Sequence, residues 1–362
     1  MSYEYEAINQ QVAQNILKRI KHIDTGHIKI MEVCGTHTMA IMKYGIKELL
    51  PKNIELISGP GCPVCVTSQG YIDAVVELIH RHNMIITTFG DMIKVPGTNT
   101  SLKTERALGK DIRIVYSPLQ SLEIAKQNPD KEVVFLGVGF ETTTPIIALS
   151  IEKAKSDNIK NFAVFQSLKT MPNIIKKLIL DQDVDIDGFI LPGHVVTVTG
   201  YKPFEFISED YNMSGVVAGF ELLDILHGIY ELLKNIQSGT PKVKNLYSEV
   251  VGYEGNTKVK KIVEKIFEVS SSNWRGLGII EDTGLQIREE YKEFDAKEKF
   301  NITINNCTRQ TKCICGDILK GECTPNECKM FESVCSPSNP LGPCMVSEEG
   351  TCAAYYKYDL GR

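Results

Sequence analysis

The sequence predicts an α/β protein: two domains built on parallel, Rossmann-like sheets, followed by a cysteine-rich domain. Three observations predict it. Short β-like runs alternate with helical runs across residues 1–241, the pattern of βαβ units. Runs such as Glu132-Val133-Val134-Phe135-Leu136 are almost wholly apolar, as strands buried on both faces must be. Eight of the eleven cysteines fall between Cys307 and Cys352, which sets the end of the chain apart as a metal-bearing module. The expected boundaries are 1–129, 130–241 and 242–362.

The elements follow in order. Ile8, Val12, Ile16 and Ile20 form a helical stripe over residues 6–22, a packing helix. Residues 28–33 read as a strand running into Cys34-Gly35-Thr36-His37-Thr38. A helix is expected from near Met39, capped by Thr36 or Thr38 and closed at Leu49-Leu50-Pro51. Residues 54–57 form a second strand, leading into Gly59-Pro60-Gly61-Cys62-Pro63-Val64-Cys65 and a helix over 73–81. A strand over 84–88 ends in Phe89-Gly90-Asp91, and a loop and a helix near Thr104 follow. A strand over 112–116 and a helix over 119–127 complete the first half.

The pattern then restarts. The strand over 132–136 enters Gly137-Val138-Gly139-Phe140-Glu141-Thr142-Thr143-Thr144-Pro145, with a helix from Pro145. Further strands are expected over 162–166, over 188–191 before Pro192-Gly193-His194, and over 214–220 before a long helix. No residue-level repeat relates the halves. From about residue 242 the chain is more charged and holds its one tryptophan, Trp274.

Composition narrows the function. A net charge of −5 argues against a nucleic-acid partner, because phosphate binding needs a basic surface. No 18-residue apolar run is present, so no membrane span is expected. The start, Met1-Ser2-Tyr3-Glu4-Tyr5-Glu6, lacks the basic and apolar stretches of a signal peptide, so the cytoplasm is expected. Cysteines in that reducing compartment read as ligands or redox thiols rather than a disulfide frame.

Cys34, Cys62 and Cys65 sit just past the ends of two strands. In an open parallel sheet the crevice at those ends binds ligands, so the three thiols are expected to meet there. Cys62 and Cys65 can close a disulfide or chelate one metal ion. A helix start beside them would lower their pKa and favour thiolate. The plain alternative is inert, buried thiols. His37, close to Cys34, and Glu141 and His194, at strand ends, are further site candidates. Gly137-Val138-Gly139 lacks the third glycine and the later acid of a dinucleotide fingerprint. In the tail, Cys313, Cys315, Cys323, Cys328, Cys335, Cys344 and Cys352 are separated by one, seven, four, six, eight and seven residues. That spacing matches neither a zinc ribbon nor a bacterial ferredoxin run. An iron–sulfur cluster, zinc and disulfides all stay open on spacing alone.

Four motifs carry a resemblance: Cys34 to Thr38, Gly59 to Cys65, Gly139 to Pro145, and Cys344-Met345-Val346-Ser347-Glu348-Glu349-Gly350-Thr351-Cys352-Ala353-Ala354-Tyr355-Tyr356. Together, and nearly end to end, they resemble the HypD family of hydrogenase maturation proteins. The resemblance implies two α/β domains and a 4Fe-4S domain like that of ferredoxin–thioredoxin reductase. It implies a role in assembling the Fe(CN)2CO unit of nickel–iron hydrogenases, with the chaperone HypC and the cyanide-supplying protein HypE. Cys34, Cys62 and Cys65 would hold the iron or exchange electrons. Cys315, Cys328, Cys335 and Cys344 are the expected cluster ligands, with Cys313 as the alternative to Cys315. Cys323 and Cys352 would form a second thiol pair, and Cys307 lies outside the pattern. Such a protein is a redox-active assembly scaffold more than a conventional turnover enzyme. The rivals are an iron–sulfur thiol–disulfide oxidoreductase and a zinc-stabilised interaction module.

Overall fold

The computed structural model describes residues 2–181, 184–305 and 312–359, with side chains from Asn9 onward, so Cys307 lies outside the described residues. Eleven strands are present among them: β1 (Ile28–Glu32), β2 (Ile54–Ser58), β3 (Met84–Thr88), β4 (Ile112–Ile114), β5 (Glu132–Gly139), β6 (Phe162–Leu168), β7 (Gly188–Leu191), β8 (Ser214–Val217), β9 (Val243–Asn245), β10 (Phe267–Trp274) and β11 (Gly278–Ile287). Two sheets are wholly parallel, as the alternation predicts. Their orders are β2-β1-β7-β8-β9 and β4-β3-β5-β6.

The strands do not divide at residue 129. β1 and β2 join β7, β8 and β9 in one sheet, while β3 to β6 form the other. Alternation fixes the number and sense of the strands but not which become neighbours, so the halves expected at 1–129 and 130–241 do not correspond to the sheets. Three-residue β9 and the antiparallel hairpin β10–β11 were not foreseen. The hairpin's strands carry runs such as Ser270-Ser271-Ser272, too polar to stand out as apolar alternation.

Helix starts also shift. The first helix after β1 is Gly35–Lys43, beginning directly after Cys34 rather than near Met39. Neither threonine caps it. Cys34 is the N-cap residue, and the free Gly35 N–H is taken by the Gly61 carbonyl at 3.1 Å. The helix after Cys65 begins at Gln69 and ends at Arg81.

The pleat assigns each strand's faces. Met31, Leu136, Phe189 and Leu191 point into one core that also holds Cys62, Cys65, Trp274 and Cys344. Val133 and Phe135 face a second core behind the four-stranded sheet. Ile30, Ile190 and Val216 face a third behind the five-stranded sheet, closed by Leu222–Gln237. The shared core thus lies between the two sheets and the tail. Among the described residues no helix is long and apolar enough to cross a membrane.

Ile190 is fully buried on a central strand. Ile190→Ala should destabilise the protein by about 2–5 kcal/mol, read as a lower urea midpoint at unchanged slope.

Candidate thiol site

The strand order reverses between β1 and β7 in one sheet and between β3 and β5 in the other. Such switch points open a crevice at the carboxyl ends of the strands. Cys34 follows β1 and His194 follows β7. Phe140 and Thr142 follow β5. All four line one cleft of about 350 Å³, together with Gly61 and with Glu349 from the tail.

Cys34 is held from behind. Its backbone N–H donates to Glu32 Oε2 at 3.2 Å, and the Thr38 hydroxyl donates to Glu32 Oε1. Burial pushes the Glu32 carboxyl up to about 7, against hydrogen bonds from Thr38 and Ser58 that pull it down. The Cys62 loop touches Cys34 through Gly61, where a Cβ would lie 2.5 Å from the Cys34 nitrogen. In front, the exposed His194 imidazole lies against the Cys34 thiol, whose hydrogen bond raises the imidazole pKa more than partial burial lowers it. His194 stacks on Phe220 at 4.2 Å, and its Nδ1 is 3.4 Å from Thr36 Oγ1. Thr36 donates in turn to Glu349 at 2.6 Å. A thiol paired with an imidazole can pass its proton to the ring and become a nucleophile or ligand. His37 is placed differently: it is fully buried and does not line the cleft. Its Nε2 donates to the Gly219 carbonyl at 3.0 Å, its Nδ1 has no partner, and burial lowers its pKa.

Cys62 and Cys65 lie behind the cleft rather than in its lining. The Cys65 N–H donates to Cys62 Sγ at 3.3 Å. The lowered pKa expected from a helix start is not what Cys65 shows: burial pushes it well up, and the Cys344 and Cys62 thiols add to the rise. Cys344 touches Cys315 and Cys352 as well as Cys65, and Cys315 touches Cys313. Sulfur therefore runs in contact from Cys62 through Cys65, Cys344 and Cys315 to Cys313. A tail cavity is lined by Cys313, Cys328, Cys335, Cys344 and Cys352. Cys315 is not in that lining and Cys313 is. Cys352 has Cys344 as its thiol neighbour, while Cys323 lines another cleft with Thr324 and Glu327. All ten described cysteines are free. Among the described residues no three His, Cys, Asp or Glu side chains converge on one ion position.

Glu141 does not line the cleft, although its neighbours Phe140 and Thr142 do. Its Oε1 accepts the Met171 N–H at 2.8 Å, its shielded Oε2 has no partner, and burial pushes its pKa up to about 7. Glu32, Thr36 and Glu349 also shape the cleft, although none is a site candidate by its sequence pattern. Glu32 comes nearest: it is the one acid in an otherwise apolar strand end, directly before a cysteine loop.

A HypD family model, described as "Hydrogenase formation hypA family", matches residues 9–359. The chain belongs to the HypD family. Hydrogenase maturation factor HypD of Escherichia coli strain K12 is 41% identical over 98% of this chain and 97% of its own. The protein of that name from Rhodobacter capsulatus is 44% identical over 92% and 90%. A putative hydrogenase expression/formation protein of Methanocaldococcus jannaschii is 42% identical over 97% of each chain. The HypD match takes in both cysteine loops, the cleft and the tail cavity, so all the geometry above lies inside it.

Two outcomes follow from this packing. Gly61→Ala should drive the Cys34 and Cys62 loops apart and cost about 1–3 kcal/mol, seen as a lower denaturation midpoint. Gly252→Ala, with nothing within 4 Å of the added methyl, should leave the midpoint unmoved. Glu141 is protonated in folded and unfolded chains alike below its ordinary pKa of 4.5, and above it ionises more readily when unfolded. It therefore withdraws stability as pH rises from 4.5 to about 7. Glu141→Gln should remove that fall, a relative gain of up to about 3 kcal/mol above the window, measured by urea unfolding on either side of it.

Proposed function

We propose that this chain is a hydrogenase maturation factor that acts as a scaffold, with a HypC-type chaperone, for assembly of the Fe(CN)2CO group. It would use the thiols around its cleft and a 4Fe-4S cluster in its tail. Family membership and the printed names of the relatives support the hydrogenase assignment. The observation that carries the thiol chemistry is the contact of Cys65 with Cys344, which joins the Cys62 loop to the cysteine-lined cavity.

The tail cavity fits a cluster by its donors. Five thiols surround an apolar space walled by Phe331, Leu341 and Met345, and thiolate sulfur is what such clusters take as ligand. Cys313, Cys328 and Cys335 would hold it, with Cys352 as the fourth, which leaves Cys344 free for thiol exchange. When bound, a cluster supplies electrons one at a time.

The chain's own thiols can move a disulfide inward. With Cys62 and Cys65 oxidised, the Cys344 thiolate attacks Cys65 Sγ: the Cys62–Cys65 bond breaks, a Cys65–Cys344 bond forms, and Cys62 leaves as thiolate. Cys315 then attacks Cys344 and releases Cys65. Two electrons pass to the Cys62–Cys65 pair, and the Cys344–Cys315 pair is left oxidised. Burial raises the pKa of Cys65; thiol neighbours, with burial behind them, raise that of Cys344 and bring Cys315 up to about 12, so each attack awaits loss of a proton.

The iron is cargo. Cys34 would give it one thiolate, passing its proton to His194, and Cys62 or Cys65 would give another. Soft sulfur suits low-valent iron carrying cyanide and carbon monoxide. Because no three ligating side chains converge among the described residues, the two loops must close on the iron or the chaperone must add a ligand. A HypE-type cyanide donor would work on the same cleft, in the cytoplasm. The line of sulfur contacts also suits a second reading, an iron–sulfur thiol–disulfide oxidoreductase acting on a protein partner.

Oxygen-free copurification with a HypC-type chaperone separates the readings. The scaffold predicts infrared bands of bound cyanide and carbon monoxide, and iron in excess of the cluster's four, both lost in Cys34→Ala and Cys62→Ala. Cluster iron alone, with catalytic reduction of a partner's disulfide, would establish the oxidoreductase instead. A colourless zinc protein would overturn both.

A further inference from the structure

The hairpin β10–β11 turns between the two cysteine-bearing segments. On one side the Arg275 N–H donates to the Val66 carbonyl at 2.9 Å, one residue past Cys65, and Trp274 bridges to Thr67. On the other side Gly276 rests on Gly316, the residue after Cys315. A Cβ on Gly276 would sit 2.3 Å from the Gly316 Cα, and one on Gly316 would sit 2.9 Å from the Gly276 Cα. Arg275 is thereby fixed within a residue of both thiol segments. Its side chain is 8% exposed, and Nη1 is shielded from solvent with no hydrogen-bond partner. Among the described residues no carboxylate pairs with it.

A guanidinium stays charged even when buried, because its pKa is too high for desolvation to neutralise. An unpaired buried charge is strongly destabilising, so such a group calls for an anion. The groups near it are thiols: its charge acts on both Cys313 and Cys315. A thiol becomes anionic when it binds metal, as Cys313 would on holding a cluster.

We propose that Arg275 is the resident countercharge of the tail cysteines, offsetting the negative charge that gathers at Cys313 when the tail carries an iron–sulfur cluster. The proposal rests on the cluster reading given above. Four thiolates make a 4Fe-4S centre anionic overall, and reduction adds a further negative charge. A fixed positive charge beside it therefore favours the reduced form.

The test is an oxygen-free redox titration, followed by electron paramagnetic resonance, of the full chain as wild type, Arg275→Gln and Arg275→Lys. Arg275→Gln should lower the equilibrium constant for reduction about tenfold, ~59 mV for a one-electron couple. Arg275→Lys, which keeps the charge, should stay nearer the wild type. A Gln variant with the wild-type potential overturns the proposal, as does a Lys variant displaced as far as Gln. Should the Gln variant fail to retain a cluster, the Lys variant decides: retention supports a charge role, and loss overturns it. A wild type that takes up no cluster sinks the cluster reading and this proposal with it. A wild type with a cluster whose potential ignores Arg275→Gln sinks this proposal alone.

Discussion

Backbone-on-backbone contact at glycine sets the spacing of the chemistry in this protein. Gly61 lies on the Cys34 backbone, and Gly276 and Gly316 lie on each other. A Cβ at any of these would overlap its neighbour, so only glycine allows the approach. The segments joined in this way are far apart in the chain: the loop after β1, the loop after β2, the hairpin tip and the tail. What presses them together is the core between the sheets, where Met31, Leu136, Phe189 and Cys344 pack as one body. The glycines let the segments touch, and the buried apolar surface makes them do so.

The same burial shifts several ionisable groups around the site toward their neutral forms. Desolvation disfavours the charged form of each. It pushes Cys65 up, pushes the Glu32 and Glu141 carboxyls to about 7, and brings Lys169 down to about 7. Lys169 is fully buried, donates to Ser167 at 2.9 Å and lies 5.8 Å from the Trp274 ring centroid. A thiol ligates metal as thiolate, so a buried neutral thiol has to release its proton before it can serve as a ligand. Cys34 differs from the others in lying against an imidazole, that of His194.

Much of this was legible in the sequence, for identifiable reasons. The eight strands with dense apolar character were readable, because a strand buried on both faces has few alternatives. That Cys34 and His194 would line one cleft was readable from their places just past strand ends, and the topology brings those ends together. The motifs also carried the family. The neighbours of each strand were not readable, since pairing is decided by tertiary packing rather than by local pattern. His37 and Glu141 stand one to three residues from lining positions yet turn inward, because side-chain direction depends on where a helix starts. Arg275 gave no signal, because a lone arginine in a turn becomes informative only once its burial is known.

The interleaved sheets have a consequence for synthesis on the ribosome. β3 to β6 form an unbroken stretch of chain, residues 84–168, and the four pair as a sheet with one another. β1 is translated first, yet one of its two neighbours, β7, begins only at Gly188. The nascent N-terminal segment must therefore wait with one hydrogen-bonding edge open while the middle of the polypeptide emerges. Cys34, at the end of that waiting strand, meets His194 only after the inserted sheet has been made.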